Sequence, residues 1–185
     1  MKFNPQIHHR RSIRLPGYDY SQPGAYFITI VTRGRECLLG EIRDGQMHLS
    51  DAGQIVCDIW NALPARYPQI GLGTAQVMPD HFHGIINILP TPAGAASVRA
   101  IHELPLRVPQ AERRRMTLPI VVGYFKMNAA KRINEILGSE GLPVWQRNYY
   151  EHIIRNATEY NRIHLYIQSN VANWAMDDEN WMTPR

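Results

Sequence analysis

The sequence predicts an α+β fold of the ferredoxin-like (RRM-like) kind, an antiparallel sheet with helices on one face and one further helix at the C-terminal end. Three observations carry this. Ala25 to Thr32 is a run of β-branched and aromatic residues, the composition of a strand. Val77 to Leu89 is a second apolar run, closed by Pro90, and reads as a buried strand. Between and after them lie stretches with helical rather than alternating spacing of apolar residues. In the first, Ser50 or Asp51 can cap a helix to about Tyr67, with Ile55, Ile59 and Leu63 on one face.

The remaining elements follow in order. Met47-His48-Leu49 suggests part of a short hairpin, and Leu72–Met78 a strand before the buried one. Leu118 to Leu137 reads as the second helix, with Val121, Phe125, Ile133 and Leu137 as core positions. Val144 to Tyr150 reads as the last strand or an extended segment. Thr158 can then cap a final helix running to about Asn170. The order β–(hairpin)–α–β–β–α–β–α is that of a ferredoxin-like sandwich whose second sheet face is open to a ligand or a partner subunit.

With 185 residues the chain is long enough for one domain with a proper core. Its formal charge is +4, and its 20 basic residues comprise 17 arginines and 3 lysines. The guanidinium fork grips phosphate bidentately and stacks on bases, so an arginine-dominated basic chain points toward nucleic acid. Cys37 and Cys57 are too few for a disulfide framework, and no apolar stretch is long enough to span a membrane. A cytoplasmic protein, on the nucleoid when bound to DNA, is the expectation.

Four regions are expected: a basic arm at 1–24, a main domain at 25–170, a basic loop within it at 91–115, and an acidic tail at 171–185, packed or frayed rather than part of a site. Candidate DNA contacts are Arg10, Arg11 and Arg14 in the arm and Arg113, Arg114 and Arg115 in the loop. Lys126 on the second helix and Arg155 before the last one complete the set.

The motif richest in chemistry is His81-Phe82-His83. Side chains alternate along a strand, so both imidazoles project from one face, about 7 Å apart at the backbone, while Phe82 points the other way. Two histidines on a strand can be ordinary hydrogen-bonded residues. They are also well placed to hold a divalent metal. On the last helix Tyr166 and Asn170 stand four residues apart, on one face. A tyrosine can form covalent intermediates when activated, and an asparagine carbonyl can complete a ligand set. Either residue alone reads as packing or capping.

Together these features resemble the HUH single-strand endonucleases, and more narrowly the REP-associated tyrosine transposases, which have one catalytic tyrosine. The resemblance runs over most of the chain. It includes Arg11-Ser12-Ile13-Arg14-Leu15-Pro16-Gly17-Tyr18-Asp19-Tyr20, Gly24-Ala25-Tyr26-Phe27, and Val77-Met78-Pro79-Asp80-His81-Phe82-His83-Gly84-Ile85-Ile86. Later blocks are Val122-Gly123-Tyr124-Phe125-Lys126, Trp145 to Asn156, and Tyr160 to Asn170. The resemblance implies that His81 and His83 are metal ligands, Asn170 the third ligand and Tyr166 the nucleophile, with Mg²⁺ or Mn²⁺ as cofactor. It further implies cleavage of single-stranded or hairpin DNA from palindromic repeats through a 5′-phosphotyrosine, with a free 3′ hydroxyl released. One phosphodiester replaces another, which agrees with the lack of a Walker-type loop. Two departures stand out: Asp80 replaces the more usual Asn, and no Pro follows Asn170.

Two other readings stay open. One is a domesticated, non-catalytic DNA-hairpin-binding protein on the same scaffold. The other is a single-stranded RNA-binding module, because ferredoxin-like sheets often present aromatics to RNA. Tyr149 and Tyr150 are rival nucleophiles, and His152 is a second candidate near the DNA, whereas His164 is expected to face away from Tyr166. A monomer with its site in cis is expected, a homodimer being the alternative.

Overall fold

The computed structural model describes residue 15, residues 17–90 and residues 115–174. Six strands and three α-helices are present among them. They are β1 (Gly24–Val31), β2 (Gly40–Arg43), β3 (Gln46–Leu49), α1 (Asp51–Arg66), β4 (Ile70–Val77), β5 (His81–Ile88), α2 (Thr117–Leu137), β6 (Tyr150–Ile154) and α3 (Ala157–Asn173). The main sheet has the order β4-β5-β1-β6, and every neighbouring pair is antiparallel. This is the ferredoxin-like arrangement, with β2 and β3 as a separate hairpin.

Alternation along the strands divides the sheet into two faces. Tyr26, Ile28 and Ile30 of β1 and Phe82, Ile86 and Ile88 of β5 face α1 and α2. Ser50 caps α1, its side chain accepting from the Gly53 amide, and Ile55, Ile59 and Leu63 are buried as the periodicity requires. Trp60 of α1 sits directly over Gly84, where a Cβ would meet its ring carbons at 2.7 Å. On α2, Val121, Phe125 and Ile133 are buried. Leu137 is 51% exposed, contrary to expectation. It occupies the last helical position before Gly138, whose left-handed backbone ends the helix beyond the reach of the sheet.

The second face is not open. It is covered by α3, with Phe27, Ile85, Ile154, Ile163 and Ile167 forming a smaller core. Docking is closest along β4, where Thr74 and His164 are hydrogen-bonded and a Cβ on Gly73 would meet the Tyr160 hydroxyl at 2.7 Å. A bulge in β4 between Leu72 and Ala75 lies at this point, and bulges often occur beside sites because they re-aim side chains.

Several boundaries differ from expectation. The run from Val77 to Leu89 is not one strand: Met78, Pro79 and Asp80 turn the chain between β4 and β5, so His81 is the first residue of its strand. The last strand is Tyr150–Ile154, and Trp145 makes only an isolated bridge to Thr32. The cap of α3 is Asn156 rather than Thr158, its side chain accepting from the Glu159 amide. Glu159 in turn accepts from the amide of Arg155, the residue before the cap. The helix continues past Asn170 to Asn173. The end of the expected arm is also integral, with Tyr20 buried and its carbonyl accepting from the Leu118 amide.

Candidate active site

The site lies on the α3 side of β5. His81 and His83 are 2% and 0% exposed, and their Nε2 atoms approach to 2.9 Å. Each ring is held from behind by its other nitrogen. His81 Nδ1 donates to Asp80 Oδ1 at 2.6 Å, and His83 Nδ1 is bonded to the Thr29 hydroxyl at 2.8 Å. The register explains the second contact, because Thr29 on β1 stands directly opposite His83 on β5. Metal-ligating histidines are commonly oriented in this way, with the outer nitrogen anchored and the inner one presented.

Asp80 is itself built in. Its Oδ2 accepts from Arg35 Nε at 3.0 Å, and its carbonyl accepts from the Thr32 amide and hydroxyl, both at 2.9 Å. Arg35 holds a left-handed backbone, φ 57°, uncommon for a non-glycine residue. Burial raises the Asp80 pKa. The hydrogen bond from His81 and the Arg35 guanidinium outweigh that effect and hold the carboxyl below its usual range. His83 is pushed well below the ordinary imidazole range by burial, and secondarily by His81, which keeps it neutral.

α3 supplies the other side. The Tyr166 ring meets the His83 ring at a centroid distance of 5.5 Å and the Phe27 ring edge-on at 6.2 Å. Two turns further on, Trp174 lies 5.9 Å from the His81 ring. Asn170 falls midway, one turn from each aromatic, and so faces the dyad. It is 1% exposed, and among the described residues neither amide atom has a hydrogen-bond partner. Asn134, also buried, shows the ordinary case: its amide nitrogen donates to Leu142 and its carbonyl accepts from Ser139. A buried amide without partners costs about 1–3 kcal/mol, so Asn170 calls for an explanation.

These donors fit a divalent cation. Two imidazole nitrogens converge, both outer nitrogens are anchored, and an orphaned amide oxygen lies on the covering helix. Among the described residues no group of three His, Cys, Asp or Glu is placed to hold a metal, and the orphaned Asn170 carbonyl is a neutral oxygen donor beside the two imidazoles. His81, His83 and Asn170 are the residues that would hold it.

The other expected site residues are placed as follows. Tyr150 shares the outer face and packs against Phe27, whereas Tyr149 packs toward the α1–α2 core. His152 donates to Glu159 at 2.8 Å at the start of α3, and His164 faces β4. Arg115 and Arg155 are exposed. The Lys126 ammonium donates to the carbonyls of Gln146, Arg147 and Asn148, which gives it a structural task. Arg10, Arg11, Arg14, Arg113 and Arg114 lie outside the described residues. Thr29, Arg35, Phe27 and Trp174 were not singled out from sequence. Thr29 carried one faint signal, a hydroxyl on the outward-facing alternation of an apolar strand.

No family model matches the chain. It belongs to one family with an uncharacterised protein of Haemophilus influenzae, to which it is 41% identical over 178 residues, 95% of this chain and 96% of that one. Among solved structures it is similar to a REP-associated tyrosine transposase bound to a REP hairpin. That match has 20% identity and a TM-score of 0.49, over 89% of this chain and 73% of the other. A candidate transposase of Deinococcus radiodurans is similar at 17% identity and a TM-score of 0.47, over 85% of this chain and 97% of the other. Both structural likenesses are loose, and the site stands on the side chains described above. Among the described residues no helix is long and apolar enough to cross a membrane.

Proposed function

We propose that the protein is a metal-dependent single-stranded DNA endonuclease and strand transferase of the single-tyrosine HUH kind, acting on hairpin DNA from palindromic repeats. The observation that carries this reading is buried Asn170, without a hydrogen-bond partner among the described residues, one helical turn from Tyr166 on the helix that packs against His83, whose Nε2 converges with that of His81. The motif blocks shared with that family support it independently.

In this reading Tyr166 Oη attacks the scissile phosphorus, the bond to the 3′ oxygen breaks, and the 5′ phosphate stays on the tyrosine. The proton lost by the tyrosine passes to solvent, and the leaving 3′ oxygen takes one up. A divalent cation, when bound, supplies positive charge to the phosphate and orients it for attack. Phe27 and His83 hold the Tyr166 ring, which limits the orientations its oxygen can take. Asp80 and Thr29 fix the two imidazoles. The arginine-rich composition suits phosphate binding. An RNA-binding reading is disfavoured because α3 covers the sheet face that would stack bases.

The test is a cleavage assay on labelled single-stranded hairpins from the source genome's palindromic repeats, with Mg²⁺, Mn²⁺ or EDTA. Wild type is compared with Tyr166→Phe and Tyr150→Phe on denaturing gels. A metal-dependent protein–DNA adduct, lost only in Tyr166→Phe, is expected. Tight hairpin binding without an adduct under either metal would instead make the protein a non-catalytic binder.

A further inference from the structure

The two histidines of the dyad are anchored by chemically different partners, and the difference has a consequence for each. The carboxylate of Asp80 is an acceptor only, so the bond of 2.6 Å to His81 requires a hydrogen on His81 Nδ1. Arg35 at 3.0 Å keeps that carboxylate in place and charged, and the Thr32 hydroxyl holds the Asp80 backbone carbonyl at 2.9 Å. His83 Nδ1 meets the Thr29 hydroxyl at 2.8 Å instead, and a hydroxyl donates or accepts by turning its one hydrogen. Between the rings the Nε2 atoms stand 2.9 Å apart, a hydrogen-bond distance, so one of the two nitrogens carries a hydrogen and the other a lone pair.

The geometry points to an asymmetric pair of positioning residues: Asp80 locks His81 as the Nδ1–H tautomer, always ready to ligate, while Thr29 lets His83 exchange tautomers when a cation binds. This inference rests on the dyad being a cation site, though not on the tyrosine chemistry. Without metal, a neutral His81 presents its Nε2 lone pair, so His83 Nε2 carries the hydrogen and donates it across the pair. Thr29 then donates to His83 Nδ1. On cation binding, the His83 Nε2 proton passes to solvent and a proton is taken up at Nδ1, so the ring remains neutral. Thr29 turns from donor to acceptor. Both Nε2 lone pairs then face the ion, and no backbone movement is needed.

The experiment is nitrogen-detected NMR of the histidine side chains of the full chain, without metal and with Zn²⁺ as a diamagnetic probe suited to imidazole. In the metal-free wild type, His81 is expected to show a protonated Nδ1 and an unprotonated Nε2, and His83 the reverse. With Zn²⁺, His81 keeps its tautomer and His83 inverts. Asp80→Ala is expected to mix the His81 tautomers and to weaken Zn²⁺ binding about 10- to 100-fold, the usual effect of losing such a support. Thr29→Val is expected to perturb His83 only, and Thr29→Ser to restore wild-type behaviour.

His81 protonated at both nitrogens without metal, His83 already carrying its hydrogen on Nδ1, or unchanged spectra with Zn²⁺ would each overturn the inference. The wild-type spectra decide it even if a variant fails to fold. A missing DNA adduct with the expected tautomers would instead count against the proposed function alone.

Discussion

His81 and His83 meet nitrogen to nitrogen at 2.9 Å, although their side chains leave the same strand side by side. The approach requires both rings to lean inward, and the bonds from Asp80 and Thr29 at their outer nitrogens impose that lean. Asn170 on α3 is the third residue of the proposed cation site, and it gives the most direct prediction.

Asn170→Leu should stabilise the metal-free protein and abolish tight binding of a divalent ion. Leucine has a similar size and removes two buried polar atoms that lack partners among the described residues, a gain of about 1–3 kcal/mol. Denaturant unfolding with and without Mn²⁺ reads both effects. A variant less stable than wild type in EDTA would show that the amide is satisfied by some other group.

Lys126 was expected from sequence to touch DNA, but its ammonium donates to the carbonyls of Gln146, Arg147 and Asn148. Lys126→Met should therefore lower stability by about 1–3 kcal/mol. The salt dependence of hairpin binding should be unchanged. A slope of log affinity against log salt smaller by nearly one unit would restore Lys126 as a phosphate contact.

Glu159 ties the start of α3 to β6. The Arg155 amide, and then His152, hold its carboxyl below the usual value of 4.5. A depressed carboxylate contributes stability that is present above its unfolded pKa and is lost as pH falls through the folded one. The stability difference between wild type and Glu159→Gln should thus shrink as pH falls below about 4.5. A difference that grows as pH falls below that value would contradict this assignment.

Gly84 follows His83 and faces α1, where an added Cβ would meet the Trp60 ring at 2.7 Å. Gly84→Ala should cost about 1–3 kcal/mol through overpacking, because the contact is with a rigid ring wedged between Phe82 and Phe125. Thermal unfolding measures it. Trp60→Phe in the same background should recover part of the loss.

Local spacing made much of this legible. The α1 face of Ile55, Ile59 and Leu63, the pairing of His81 with His83 on one strand face, and the one-turn spacing of Tyr166 and Asn170 follow from the periods of helix and strand. The last strand was harder to place. Trp145 offers a strong β-former that makes only one bridge, whereas β6 itself carries Glu151 and His152 and lacks a clean alternation. The turn at Pro79-Asp80 was likewise hidden inside an apolar run.

The sequence by itself determined the order of the elements and which candidate residues share a strand or helix face, because those properties depend on neighbours a few positions away. Tertiary structure alone decided that Thr29 stands across from His83, that Arg35 reaches Asp80, and that α3 closes the second face with Asn170 and Trp174 over the dyad. Each of these relationships depends on strand register or on helix docking between segments distant in the chain. No local period encodes such contacts, since they are selected by the burial and pairing of the whole sheet.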